Sequence, residues 1–261
     1  MATLALRISG EPRNITVRGF LSALDSWLKI LGDLDSAISG EPQGSLDWFV
    51  VGLSTGSLAV EVESRSKLED KNVGPEVAGA FITGLEHIER QGTSPAYLSE
   101  TGMQRMRHLL RLIGREGAAG ITVTHLSQTV EVSARASANI DQLMRVQQRS
   151  IGSVEGKLET ISIHGRARFV VYHGLTRKAV TCKFDPGRWL NKVKDALGHR
   201  VNVSGMVHYN AKSEPLRVEL EEIRILREKG ELPSTAEISG SDPHFTGDMS
   251  TEGYIGSIRA R

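Results

Sequence analysis

The run IGSVEGKLETISIHGRARFVVYHGLTRKAVTCKF (residues 151–184) and its continuation HRVNVSGMVHYNAKSEPLRVELEEIRIL (residues 199–226) decide how this chain is read. Residues 154–163 alternate as a long strand, with Gly156 where a barrel strand bends or bulges. Gly165 turns the chain into a second strand, residues 168–173. The turn Gly174-Leu175-Thr176-Arg177 leads to a third, residues 178–184. Pro186 opens a short helix over residues 187–197, with Trp189, Leu190, Val193 and Leu197 as its apolar stripe and Gly198 closing it. Residues 200–209 form a strand interrupted at Gly205. After a polar turn, residues 216–226 form the last strand, in which Leu216, Val218 and Leu220 alternate with Arg217, Glu219 and Glu221.

Three strands, a helix and two strands is the order of the OB-fold barrel. The chain resembles that fold from Gly152 to Leu226, chiefly through the run from Arg200 to Tyr209 and the alternating strand after it. The resemblance implies an oligonucleotide site on the face of the second and third strands, built from aromatics for stacking and cations for phosphate. On that implication the nucleic-acid-binding candidates are Arg168, Tyr172, His173, Arg177, Lys178 and Lys183. Phe169 and Trp189 read as core, so only Tyr172 and Tyr209 remain for stacking.

Upstream, residues 3–8 alternate as a strand with Leu4, Leu6 and Ile8 on one face. Gly10-Glu11-Pro12 breaks it, and Asn14 or Thr16 caps a helix over residues 15–38 whose stripe runs from Val17 through Phe20, Leu21, Leu24, Trp27, Leu28, Leu31 and Leu34 to Ile38. Residues 46–54 and 57–64, joined by Thr55-Gly56, read as a hairpin with Leu58, Val60 and Val62 inward and Glu61 and Glu63 in water. Helices follow at residues 75–91 and 99–114. The second carries Arg105, Arg107, His108, Arg111 and Arg115 on its polar face, a pattern compatible with phosphate contact or with an ordinary solvated surface. A hairpin over residues 121–126 and 129–134 and a helix over residues 138–149 complete this half. Strands and helices grouped in this way predict an α+β class: an antiparallel sheet with helices on one side. The expected domains are residues 1–149, a barrel over residues 150–230, and an extended tail over residues 231–261.

The charge is unevenly placed. Residues 150–230 hold 15 Lys and Arg against 9 Asp and Glu, whereas residues 231–261 hold 2 against 5. The basic middle suits an anionic partner, and the acidic tail suits a basic one or the chain's own barrel. No apolar run approaches the about 20 residues of a membrane span and the N-terminus lacks a signal pattern, so a cytoplasmic protein is expected. One cysteine, Cys182, excludes an intrachain disulfide and a cysteine-based metal cluster.

Nucleotide-loop motifs are missing, and the eight histidines are scattered without ligand spacing. Cys182 reads as a buried thiol, and Ser57 as a turn residue rather than a nucleophile. No catalytic residue, metal ligand or cofactor is expected, and the chain reads as a non-enzyme.

The tail is rich in Gly, Ser, Thr and Pro, with isolated apolar residues, and cannot form a core of its own. Phe245, Met249, Tyr254, Ile255 and Ile258 read as partner-docking anchors, with an amphipathic turn or two over residues 250–259. The ending from Gly253 to Arg259 is similar to the C-terminal peptides of antitoxins that neutralise PIN-domain ribonucleases. The resemblance implies a nuclease partner, with Arg259 or Arg261 as the inhibitory residue. The expected function is therefore a non-enzymatic, cytoplasmic, regulatory protein that docks a protein partner through its tail. The alternative is a nucleic-acid-binding module; a homo-oligomer is compatible with either.

Overall fold

The computed structural model describes residues 1–10, 14–54, 58–115, 118–227, 237, 242 and 245–259. The expected Glu11-Pro12 break, the Thr55-Gly56 turn, Ser57, His244 and Arg261 lie outside them. The α+β class holds. Residues 1–226 form one compact unit and residues 227–261 a second.

The first half of unit one is a five-stranded antiparallel sheet under helices. Strand β1 (Thr3–Ser9) is central, flanked by β3 (Ala59–Ser66) and β4 (Gly120–His125), with β2 (Leu46–Ser54) and β5 (Gln128–Val132) at the edges. The period-2 pattern selects the buried face: Leu4, Leu6, Ile8, Val60, Val62, Ile121 and Val123 all join one core. Over it lie α1 (Val17–Ser39), α2 (Gly74–Glu86), α3 (Glu100–Leu110), the short α4 (Leu112–Arg115), in which Ile113 and Gly114 depart from helical φ/ψ, and α5 (Ala134–Leu143).

Helix α1 is capped by Thr16, whose hydroxyl accepts from the Gly19 amide at 3.0 Å, and Gly40 ends it in the left-handed conformation. Trp27, Ile30, Leu31 and Leu34 are buried. Val17, Leu21 and Leu28, placed by periodicity on the same stripe, are exposed instead. The apolar face of α1 is broader than the core it covers. Helix α2 continues as one π-helical turn, His87–Gln91. Asp35, buried on α1, accepts from the amides of Ser45 and Leu46 and from the Ser45 hydroxyl, tying α1 to the start of β2.

The second half is a closed five-stranded barrel. Its strands are β6 (Gln148–Ser162), β7 (Arg168–Tyr172), β8 (Ala179–Lys183), β9 (Arg200–Tyr209) and β10 (Pro215–Ile225), with α6 (Pro186–Asp195) between β8 and β9. Neighbours run β10-β8-β7-β6-β9, and β9 pairs with β10 to close the ring. Only β8 and β10 pair in parallel within it. Three strands, a helix and two strands is the element order expected from the sequence. Phe169, Val171, Val180, Cys182, Val201, Val203, Val207 and Val218 fill the interior. Asp185 caps α6 through the Gly187 amide at 3.0 Å, and Trp189 and Val193 join the barrel core.

Two glycines permit closure. At Gly156 a Cβ would stand 2.3 Å from the Tyr172 carbonyl oxygen, and at Gly205, with φ +154°, 2.0 Å from that of Glu219. Neither space can be made without moving a neighbouring strand.

The expected helix over residues 138–149 differs from the structure. Helix α5 starts earlier and ends at Leu143, and β6 already begins at Gln148, pairing with Tyr209. The expected domain boundary at residues 149/150 thus falls inside the first barrel strand. Ladder pairing with β9 extends β6 into the polar run Gln147-Gln148-Arg149 as far as Gln148, where periodicity reads helix.

Replacing Gly205 by alanine is expected to lower unfolding stability by at least about 2 kcal/mol, because it combines backbone strain with a clash. Equilibrium urea denaturation measures this; an unchanged midpoint would show that β9 and β10 are not packed as described.

Candidate binding surfaces

Strands β7 and β8 hold the six residues that the OB resemblance nominates, together with the turn between them. Strand alternation points Phe169 and Val171 into the barrel and Val170 and Tyr172 away from it. The outward side chains are nevertheless buried: Tyr172 is 5% exposed and Thr181, opposite Val170, is 3% exposed. The cover is the first half of the same unit. The Tyr97 amide donates to the Arg177 carbonyl at 2.8 Å, and the Glu100 amide, at the start of α3, donates to the Thr181 hydroxyl at 3.4 Å.

Charged groups fasten this seam. Arg217 on β10 donates to Glu100 at 3.2 Å. Glu214 accepts from the Ser94 hydroxyl at 2.7 Å, from the Asn210 amide group at 3.0 Å and from Lys178. Lys212 donates to the Gln91 carbonyl at 2.6 Å. Burial alone would raise the Glu214 carboxyl, but the bonds from Lys178, Ser94 and Asn210 together hold it below its ordinary value. Burial pushes the Tyr172 hydroxyl far above the usual tyrosine value, and the Glu159 and Asp33 carboxylates add to this.

The six nominated residues therefore divide. Tyr172 has no free ring face to stack on a base. Lys178 is committed to Glu214, and Arg177 lies 3.7 Å from Glu159. His173 is exposed, but its Nδ1 accepts from the Thr176 amide at 3.3 Å and organises the β7–β8 turn. Arg168 and Lys183 stand directly opposite each other on paired strands. Among the described residues neither makes an ion pair, so two like charges adjoin at the open end of this face. Of the other expected aromatics, Phe169 and Trp189 are core, and Tyr209 is half-buried against the barrel.

The basic face of α3 is also largely used internally. Arg105 pairs with Asp33, Arg107 with Asp141, and His108 Nε2 lies 2.8 Å from the Ser22 hydroxyl. The Arg115 side chain is outside the described residues. Spacing along one helix shows which side chains share a face, and the partners arrive from α1 and α5.

Among the described residues no group of three or more His, Cys, Asp or Glu side chains is placed to hold a metal ion, and no helix is long and apolar enough to cross a membrane. Cys182 is fully buried, which pushes its thiol far up and away from nucleophilic use. His208 is buried with Nε2 3.0 Å from Glu219, and His125 Nδ1 lies 2.8 Å from the Thr3 carbonyl oxygen.

In unit two, residues Thr251–Arg259 form a helix, α7, none of whose residues is buried. The Ser250 hydroxyl accepts from the Gly253 amide at 3.2 Å and starts it. Tyr254 packs edge-on against Phe245 with ring centroids 5.3 Å apart. Phe245 (65% exposed), Met249, Ile255 and Ile258 (57% exposed) remain largely open to solvent. Arg259 lies in the last turn, where a cation suits the helix dipole.

No protein-family model and no curated protein matches the chain. Among solved structures, a chain described as "Crystal structure of tRNA fluorescent labeling enzyme" matches at 12% identity and TM-score 0.23, over 87% of this chain and 44% of that one. This chain thus spans under half of that protein's length, and so loose a superposition carries no argument about fold or function.

Replacing Glu214 by glutamine is expected to cost about 1–2 kcal/mol near neutral pH, through the loss of charge-assisted bonds. A folded value held below the ordinary 4.5 stabilises the fold at pH above 4.5, and that contribution is lost as pH falls through the folded value. Asp33 and Glu159, whose carboxyls burial pushes up, act in the opposite sense. The difference between wild type and variant isolates Glu214. It should shrink towards zero in chemical denaturation series run from pH 6 to pH 3.

Proposed function

We propose that this is a non-enzymatic regulatory protein that docks a protein partner through its C-terminal segment. The observation that carries the reading is α7: a nine-residue amphipathic helix with no buried residue and a row of open apolar side chains. A helix this short is marginal in water on its own, and apolar anchors along a helix are what a groove on a partner accepts. The Phe245–Tyr254 ring pair prearranges two of those anchors, which reduces the ordering cost of binding.

The resemblance of the last residues to antitoxin peptides makes a ribonuclease the first partner class to test, with Arg259 at the end of the helix directed to its acidic centre. A cytoplasmic location accords with this role. In this reading the two-layered unit of residues 1–226 is the mount, and the tail is the working surface.

The test compares the full-length protein with a truncation after Gly230 and with the Ile255→Asp/Ile258→Asp double variant, each purified from its own host. One partner should co-elute with the full-length chain at fixed stoichiometry and be lost from both variants. Each anchor substitution alone should weaken the isolated complex at least about tenfold. A partner retained unchanged by the truncation ends this reading.

Nucleic-acid binding by the barrel is the second reading, and the Arg168–Lys183 pair is the observation that favours it. It is ranked second because Tyr172 and Thr181, on the face an oligonucleotide would need, are covered. If it holds, affinity for a single-stranded oligonucleotide falls steeply with salt and is lost on reversing both charges. Absence of binding at low salt eliminates it.

A further inference from the structure

The five-stranded sheet ends in an edge strand with little of the usual protection. Strand β2 pairs with β3 on one side, and among the described residues no strand pairs along its other edge. Exposed sheet edges are normally short, or carry Lys or Pro where a second strand would add. Strand β2 runs nine residues, and its uncharged stretch Phe49-Val50-Val51-Gly52-Leu53 lies open. Phe49, Val50, Val51 and Leu53 are 43, 59, 51 and 74% exposed.

Backbone direction narrows what can add there. The Ser64 amide donates to the Ala2 carbonyl, so the even-numbered residues of β3 turn their backbone groups to β1 and the odd-numbered ones to β2. Glu61 and Glu63 therefore bond Gly52 and Phe49, which leaves the amides and carbonyls of Trp48 and Leu53 aimed at the open edge. A β-bulge between Val50 and Gly52 places Trp48 and Leu53 on the same face, beside Ser64 and Val60, while Phe49 and Gly52 share the other. An antiparallel second copy of β2 matches both requirements. It sets Trp48 opposite Leu53, Phe49 opposite Gly52 and Asp47 opposite Ser54, with Val50 and Val51 at the twofold axis.

Charge completes the match. Arg65 on β3 lies over the Phe49 ring, its guanidinium carbon 4.4 Å from the ring centroid. Glu61 leans over Gly52, with Oε2 3.0 Å from where a Cβ would stand at that glycine. Among the described residues Glu61 makes no ion pair, and Arg65 makes an exposed one with Glu63 at 3.4 Å. Setting Phe49 of one copy against Gly52 of the other brings Arg65 of the first to Glu61 of the second, and the twofold repeats the contact. We propose that the chain forms a homodimer by antiparallel β2–β2 pairing, which joins two five-stranded sheets into one continuous sheet. The interface is independent of α7 and of the partner it docks.

Sedimentation velocity on the full-length protein across the micromolar range tests this, and should show a species of two 28.5 kDa chains. Truncation after Gly230 should leave that dimer intact, which separates this interface from docking by the tail. Leu53→Lys, at a position open to solvent, should weaken dimerisation at least about tenfold. Val51→Lys is the second edge variant should the first lose a folded circular dichroism spectrum. Arg65→Glu and Glu61→Arg should each weaken the dimer at least about tenfold. An equimolar mixture of those two variants should dimerise again, because each cross-copy contact then joins unlike charges. Hydrogen exchange at the Trp48 and Leu53 amides should slow in the dimer. The inference is overturned if the wild type stays monomeric, if the dimer is lost with the tail or survives a folded edge variant, or if the mixture dimerises no better than its components.

Discussion

Burial of the outer face of β7 and β8 is the constraint on which the rest of residues 1–226 depends. A barrel strand normally hides one side chain in two and offers the other to solvent or to a ligand. In β7 every side chain after Arg168 is buried: Phe169 and Val171 inside the barrel, Val170 and Tyr172 on the outer face, beside which Tyr97 meets the β7–β8 turn and Glu100 meets Thr181 on β8. The two hydrophobic cores are thereby joined through a polar seam rather than one continuous apolar layer. Its ion pairs, Arg217–Glu100 and Lys178–Glu214, lie at a partly dry boundary, and hydrogen bonds from Ser94 and Asn210 help to satisfy the Glu214 carboxylate.

That arrangement changes what the barrel offers. An open OB-like barrel presents cations and aromatic faces for an oligonucleotide. Here the aromatic is sealed, one cation is fixed in the seam, and the turn histidine is occupied in holding its own loop. Of the six nominated residues, Arg168 and Lys183 at the strand ends are the cations that make no ion pair among the described residues. Helix α7 is too short to bury its own apolar side chains, and Ile255 and Ile258 stand open to solvent.

The barrel's strand order was legible in the sequence because small barrels impose strong local rules. A turn takes its left-handed residue at Gly165, the close approach of β9 to β10 needs Gly205, and the interior takes alternate valines; each leaves a mark at fixed spacing. The sheet was legible for the same reason, with Leu4, Leu6 and Ile8 inward and Glu61 and Glu63 outward. The reading was poorest where long-range pairing overrides local pattern. Residues 148–149 are polar and sit next to a helix, yet β9 recruits them into β6. Val17, Leu21 and Leu28 keep helical spacing with Trp27, but the core behind α1 is too narrow to reach them.

The candidate site divides along the same line. By itself the sequence determined the α+β class, the order of the barrel, the burial of Cys182 and Trp27, and the amphipathic ending that becomes α7, since each follows from periodicity, capping or the absence of a motif within a short window. Only the tertiary structure decided that Tyr172 is sealed, that the arginines of α3 meet Asp33 and Asp141, and that Glu214 and Arg217 fasten one half of the unit to the other. Those outcomes depend on pairs 34 to 120 residues apart. No local pattern encodes which carboxylate a given arginine will meet once two cores have packed together.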